Sequence, residues 1–406
     1  MKRVVVTGMG AVSGCGIGAS ALWQACRDGK PAVRDFRLEA LPRQQVTTAS
    51  YFAPEDVETI WQGKNERFQD VVTAMALHAS HEAVAQAGLE KDDFGSRCAV
   101  VVSSGFGGTD TLQTNFQIFA GNPLGRMDAF SIPKIMTNAA GSWVAIEFGA
   151  TGPMYCISTA CASSAQSVGL GASLIQSGQV DRCIVGGTES ILTPAAFRAW
   201  EGLRVMTPGL CRPFSKGRNG MILGDGAGIM ILESEDAARA RGAEILCEVA
   251  GYATNCDAVD LLRPSTQRIT ECVSSALANA NIDPSRIGYV NAHGTGTVAN
   301  DQSEGDALRT VFGEHIKTLK FSSTKPIHGH ALGAAGILEL IVTAEALREG
   351  MAPPTINFLE EDASIGLDPV SGGAAAFDGD AAMCNSFAFG GINASIVLSR
   401  WAGQAG

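Results

Sequence analysis

Apolar positions along this chain fall into two kinds of run that alternate. Short stretches rich in β-branched residues predict strands over Arg3–Thr7, Ala99–Ser103, Cys183–Gly186, Gly228–Leu232, Ile245–Thr254, Gly288–Asn291, Leu319–Ser322, Ala382–Ser386 and Ala394–Leu398. Between them, longer helical patterns predict helices over Ala19–Arg27, Phe68–Ala87, Lys134–Phe148, Ala162–Ser177, Glu235–Arg241, Arg268–Ala280, Ser303–Val311 and Ala334–Arg348. This alternation predicts an α/β protein, with mostly parallel strands covered by helices on both faces. The plan runs twice. Gly-rich strand ends followed by a helix with a reactive cluster occur near residues 100–178 and again near 288–348. The division falls after Ala240-Arg241-Gly242-Ala243, where a helix ends on glycine. Two α/β halves packed face to face are expected, residues 1–245 and 246–406.

Composition narrows the function. Of 406 residues, 46% are hydrophobic and 17% charged, so a large core can be buried and wholesale disorder is excluded. The 48 glycines carry no collagen-like period and point to tight turns and close backbone approaches. Thirty basic against 41 acidic side chains leave a net charge of −11, the wrong sign for a nucleic-acid binder. Eleven cysteines, with no C-x-x-C pair, read as reduced thiols of a cytoplasmic protein, most of them small core residues. Lys2-Arg3 precedes an uncharged stretch from Val4 to Cys26, but five glycines interrupt it, so it reads as a strand entering a Gly-rich loop and not as a signal sequence. No run approaches the roughly 18 apolar residues of a membrane span. Gly8-Met9-Gly10-Ala11-Val12-Ser13-Gly14 has the wrong spacing for a dinucleotide fingerprint, and no acidic residue follows about 20 positions on.

Four clusters carry candidate chemistry. In Ser158-Thr159-Ala160-Cys161-Ala162-Ser163-Ser164-Ala165, Ser158 or Thr159 can cap the following helix, which puts Cys161 in or near its first turn. Unpaired N–H groups and the positive dipole end favour a thiolate there; a buried structural cysteine is the alternative. Asn291-Ala292-His293-Gly294-Thr295-Gly296-Thr297 places a histidine at a strand end, where α/β proteins bind ligands, unless His293 is a satisfied core residue. Lys325-Pro326-Ile327-His328-Gly329-His330 also follows a strand; its His-x-His pair lacks a third ligand at convincing spacing, so no metal is expected. His78, His81 and His315 read as surface or interface residues. Asn385-Ser386-Phe387-Ala388-Phe389-Gly390-Gly391-Ile392-Asn393 sets two phenylalanines on a Gly-rich turn, as pocket lining or as an ordinary hairpin.

Together the four clusters, in this order and at this spacing, resemble the β-ketoacyl-acyl carrier protein synthases, condensing enzymes of thiolase-like fold, over nearly the whole chain from Arg3 to Ala394. The resemblance implies two duplicated βαβαβαββ halves, a five-layered α-β-α-β-α body and a homodimer. It implies a Cys161–His293–His330 site with Lys325 as the supporting charge, and an oxyanion hole from the backbones of Cys161 and Phe389. Thr295 and Thr297 match positions that bond the phosphopantetheine arm, and Glu304 matches a carboxylate that can pair with Lys325. Phe106, Phe387 and Phe389 are expected to bound the acyl pocket, with Phe106 limiting chain length. Lys64, Arg67, Arg204 and Arg212 are expected to meet an acidic acyl carrier protein. The activity implied is decarboxylative condensation of an acyl-enzyme with malonyl-carrier in fatty-acid elongation, without a cofactor of its own. A specialised ketosynthase of a polyketide, polyene or nodulation-type pathway is one alternative, and a non-catalytic chain-length partner is another. A thiolase is disfavoured, because Phe389-Gly390-Gly391 stands where its Cys-x-Gly motif belongs. His328, Pro326, Ala388, Ile392 and Met221 depart from the family pattern around the site.

Overall fold

The first strand of the protein, β1 (Val4–Ser13), is buried along its whole length. It belongs to a computed structural model that describes residues 2–52, 59–61, 65–401 and 403. Among the described residues the same sheet takes in the two-residue strand Gly16–Ile17, which pairs with β1, and nine strands on its main path: β2 (Cys98–Ser103), β3 (Met154–Tyr155), β4 (Arg182–Glu189), β5 (Gly226–Ser234), β6 (Cys247–Cys256), β7 (Ile287–Asn291), β8 (Lys320–Ser322), β9 (Ala381–Ala388) and β10 (Ile392–Ser399). Their spatial order is β8-β7-β9-β10-β6-β1-β5-β4-β2-β3. Outward from the β1–β6 junction, each side runs through its first, fifth, fourth, second and third strand, so the topology repeats. The junction itself is thin, pairing Val5 with Glu248 and Val6 with Cys247.

The sheet is mixed, and the expectation of mostly parallel strands is corrected. Parallel pairing is confined to β2 with β3 and β4, and β7 with β8 and β9. The pairs β1–β5, β1–β6, β4–β5, β9–β10 and β6–β10 are antiparallel. A tight turn such as Gly390-Gly391, between β9 and β10, can join only antiparallel neighbours.

The longer helices are α1 (Ala19–Arg27), α2 (Val71–Ala87), α3 (Thr109–Gly121), α4 (Ala139–Phe148), α5 (Ser163–Gln176), α6 (Pro194–Leu203), α7 (Thr266–Ala280), α8 (Val298–Phe312) and α9 (Ala335–Glu349). Helices α5 and α9 are buried on nearly every face, as helices sandwiched between sheets must be. They share one core with the inward faces of both halves of the sheet. A second core lies under α2 and α4, and a third under α7 and α8. The result is the five-layered α-β-α-β-α arrangement. Small residues make it possible: a Cβ on Gly169 of α5 would lie 2.4 Å from the Tyr252 ring of β6, and one on Gly171 would lie 2.4 Å from Val185 of β4.

Two helix expectations are revised, and two helices lie outside the expected set. The run from Phe68 becomes helical only at Val71, where the Asp70 carboxylate caps Val72 N–H. The run from Lys134 is split, because Met136 turns extended between a short helix, Ser131–Ile135, and α4. Helix α3 was not expected; its Phe116 and Phe119 face outward, so it writes no core-facing stripe into the sequence. Helix α6, which starts on Pro194, was also missed.

Candidate active site

Cys161 lies in a single 3-10 turn, Ala160–Ala162, that leads into α5. Ala160 takes φ +49°, a left-handed conformation costly for a residue with a Cβ. Ser163 holds the bend: its Oγ accepts from Thr159 N–H at 2.9 Å and donates to the Ala160 carbonyl at 2.6 Å. The cap expected from Ser158 or Thr159 is therefore corrected. Thr159 Oγ1 bonds Gln166 of α5 and Ser158 Oγ bonds the Gly105 carbonyl, so neither caps.

His330 follows Gly329, which takes φ +73°. Its backbone is pinned to the 222–224 segment: His330 N–H donates to the Ile222 carbonyl at 2.7 Å, and Gly224 N–H to the His330 carbonyl at 3.0 Å. That places Nε2 3.1 Å from Cys161 Sγ. His293 leaves β7 directly and crosses His330 edge-on, with ring centroids 5.5 Å apart. One reactive atom from each of Cys161, His293 and His330 lies within 4.8 Å of the others.

Lys325, 1% exposed, has its ammonium fully engaged. It donates to the Glu339 carboxylate of α9, to the His293 carbonyl at 2.6 Å, and to His293 Nδ1 at 3.2 Å. Because the ammonium has only donors, His293 Nδ1 is the acceptor, and the imidazole proton sits on Nε2. The pairing expected between Glu304 and Lys325 is corrected. Glu304 instead accepts from His293 N–H and Gly294 N–H, each at 2.8 Å, and so fixes the loop that carries His293. The lysine partner is Glu339, a lone carboxylate inside the apolar run Ile337–Ala344, and that isolation was the overlooked signal.

Burial dominates the electrostatics. It pushes the Cys161 thiol up to about 12, partly offset by Lys325, and pushes both histidines well below their usual value. The resting site is a neutral thiol beside neutral imidazoles, which corrects the preformed thiolate expected from the helix end. Cys161 is also not the only accessible thiol. Cys256 is exposed, with its Sγ 3.8 Å from the Gly390 carbonyl. Brief iodoacetamide treatment followed by peptide mass analysis is therefore expected to mark two sites. Labelling at Cys161 should keep climbing from pH 7 to above pH 10, because its thiolate fraction is still growing there. A plateau for Cys161 near pH 8 would contradict this ordering.

Cys161, His293 and His330 open into one cavity whose wall is largely apolar, with Trp200, Leu203, Met221, Leu262, Phe387 and Phe389, and carries Arg263, Asn300 and Asn393 as polar members. Thr295 and Thr297 line it too, with their hydroxyls 2.8 Å apart. Ala388 lies between the two phenylalanines, and the positive φ of the turn is carried by Gly390 and Gly391. Phe106 is corrected: it is 47% exposed and is not among the residues lining this cavity. Its backbone is nevertheless tied to the site. Glu189, buried at the end of β4, accepts from Gly105 N–H, Phe106 N–H and Ser104 Oγ, and also from Gly333 N–H just after His330. His328 donates from Nδ1 to the Gly329 carbonyl at 2.8 Å and accepts at Nε2 from Thr324, so it braces the turn before His330 and does not face the cavity.

A thiol and two imidazoles this close can in general hold a metal. Here no carboxylate lines the cavity among the described residues, and the Lys325 cation lies directly behind His293. Of the residues expected to meet a carrier protein, Lys64 falls outside the described residues. Arg67 is exposed over the Phe68 ring, Arg204 is exposed beside the cavity residues Leu203 and Val205, and Arg212 is half-buried.

Comparison with known proteins agrees with this geometry. The family models for the N-terminal and C-terminal domains of beta-ketoacyl synthase match residues 1–238 and 246–359. Nodulation protein E of Rhizobium leguminosarum bv. trifolii is 37% identical over 404 residues, 98% of this chain and 99% of that one. 3-Oxoacyl-[acyl-carrier-protein] synthase 2 of Coxiella burnetii is 35% identical over 411 residues, with the same coverage. Among solved structures, the ishigamide ketosynthase/chain length factor superposes with a TM-score of 0.93 at 32% identity, covering 99% of this chain and 100% of that one. With its cysteine, paired histidines and repeated strand order in one five-layered body, the chain belongs to the β-ketoacyl synthase family.

Proposed function

We propose that this protein condenses an acyl group held on Cys161 with malonyl-acyl carrier protein, releasing carbon dioxide and 3-oxoacyl-acyl carrier protein, in fatty-acid elongation. The observation that carries this reading is the convergence of Cys161, His293 and His330 on one largely apolar cavity, with Lys325 fixing the tautomer of His293. Cys161 sulfur attacks the acyl thioester and its proton leaves with the carrier thiol; His330 Nε2 is within relay distance. The tetrahedral oxyanion is received by the backbone N–H groups of Cys161 and Phe389. Malonyl-carrier then enters. Its carboxylate carbon–carbon bond breaks, carbon dioxide leaves, and the electron pair becomes an enolate stabilised by N–H donors on His293 and His330. The enolate carbon attacks the acyl carbonyl, the carbon–sulfur bond to Cys161 breaks, and the departing thiolate takes one proton from water to restore the cysteine thiol. Thr295 and Thr297 hold the arm, which belongs to the carrier, so the protein needs no cofactor of its own.

A second reading is a specialised ketosynthase, favoured by the likeness to nodulation protein E at 37% identity and by the unusual His328 behind the catalytic turn. A non-catalytic partner subunit is disfavoured by the intact trio. Incubation with acyl- and malonyl-carrier should release carbon dioxide and give a product longer by two carbons. Carbon dioxide release without chain growth would remove the condensation reading. The primers accepted separate the two pathways.

We further infer a cytoplasmic homodimer of chains divided at residues 1–245 and 246–406. Among the described residues no helix is long and apolar enough to cross a membrane. Phe116, Phe119, Leu124 and Ile132 expose an apolar face on and after α3, with Leu124 94% exposed. Patches of this kind on a folded chain call for a partner. Joint Leu124→Glu and Ile132→Glu substitution should halve the mass measured by light scattering, and an unchanged mass would place the interface elsewhere.

A further inference from the structure

Arg263 stands at the rim of the catalytic cavity in a position that none of the site's chemistry uses. Together with Leu261, Leu262 and Pro264 it lines the cavity that ends at Cys161. With Pro264 and Ala299 it also lines an adjoining groove that contains Arg218, Gln302 and Asp362. It therefore marks the passage between the buried site and the surface. The two arginines differ sharply. Arg218 is 5% exposed and bound to Asp362 at 2.5 Å and Asp301 at 3.6 Å. Arg263 is exposed and makes no side-chain hydrogen bond or close ion pair among the described residues; the Asp260 carboxylate, held below its usual range chiefly by the Leu262 and Arg263 N–H groups, feels its charge only at longer range. It is the one such cation lining either space.

The backbone beneath Arg263 is nevertheless held on both sides. Asp260 Oδ1 accepts from Leu262 N–H at 2.8 Å and Arg263 N–H at 2.9 Å. Asp257, 2% exposed, accepts from Ser265 N–H at 2.7 Å. The Leu261 carbonyl accepts from Gly390 N–H at 2.8 Å, which ties the segment to the turn after Phe389. A guanidinium whose N–H donors are all free, on a fixed backbone at the edge of the passage, suits an anionic group that arrives with the substrate.

We propose that Arg263 binds the phosphodiester at the outer end of the carrier's phosphopantetheine arm, and so sets the depth to which the thioester is delivered. This rests on the reading of the site as a carrier-dependent condensing centre. The arm is uncharged from its thioester to its phosphate, so the phosphate is the anion that reaches the rim as the thioester reaches Cys161. In a chain of net charge −11, a cation there with no hydrogen-bonded carboxylate partner also counters the repulsion of an anionic ligand.

The test compares acyl thioesters of 4′-phosphopantetheine with those of pantetheine, which lacks the phosphate. The ratio of their kcat/KM values should favour the phosphorylated form in the natural protein. It should fall about tenfold in Arg263→Ala, mainly through KM, and recover in part in Arg263→Lys. An unchanged ratio in Arg263→Ala overturns the proposal. Loss seen only with carrier-bound substrate, and not with free phosphopantetheine thioesters, also overturns it, because the anion would then lie on the carrier's surface. A second readout is independent of condensation: phosphopantetheine should slow iodoacetamide labelling of Cys161 more than pantetheine does, and Arg263→Ala should remove that difference. If the natural protein acylates Cys161 but never condenses, the function reading fails while this protection still decides the role of Arg263. Equal protection by both compounds in the natural protein overturns the proposal.

Discussion

Cys161→Ala is expected to abolish acyl-enzyme formation and to lower condensation by roughly 10⁴-fold or more, the scale on which removal of a covalent nucleophile acts. The substitution takes away one sulfur that faces the cavity, next to His330 Nε2. The fold should tolerate it, because the clamp on the turn is made by Ser163 and not by the cysteine. A change in stability within about 1 kcal/mol is expected. Intact mass after incubation with acyl-carrier should show no adduct, while the natural protein gains one acyl group. An adduct on the alanine variant, or condensation above about one part in a hundred, would place the nucleophile elsewhere.

Lys325→Ala should act on chemistry and stability together. The buried Glu339 carboxylate loses its partner, and stranding one half of a buried pair costs about 3–5 kcal/mol. His293 loses the donor that sets its tautomer, so the proton is free to leave Nε2 and the enolate loses a donor. Removing an oxyanion-type donor costs about 10²–10³ in kcat. The pH dependence separates the two effects. Burial lifts Glu339 to about 7 even with the lysine present, above its ordinary value of 4.5. A carboxyl raised in the folded state contributes stability that is present below the unfolded value and is lost as pH rises through the folded one. Without the lysine this loss deepens. The difference in Tm between Lys325→Ala and the natural protein should therefore be largest near pH 8 and shrink toward pH 5. Condensation, measured where both proteins stay folded, should remain low at every pH. A Tm difference independent of pH would mean that the Glu339–Lys325 pair is not what the substitution breaks.

The chain by itself determined its α/β class, its doubled plan and the identity of the reacting groups, because those are written in local patterns. Strand β1 and helix α1 were legible from a β-branched run and an amphipathic one, and His293 from its position at a strand end. Only the tertiary structure decided what those groups face. Strand direction was misread because β-branched composition is the same in parallel and antiparallel neighbours. Helix α3 was missed because its apolar residues point away from the core. Partners distant in sequence were out of reach for the same reason. Lys325 pairs with Glu339 and not Glu304 because α9 passes through the middle layer, while Glu304 on α8 lies under the His293 loop. The thiolate expected from a helix end became a thiol pushed up to about 12, because burial of a charge outweighs the partial charge of a helix terminus. Desolvation depends on every atom packed around a group, and that packing exists only once the two halves have closed on each other.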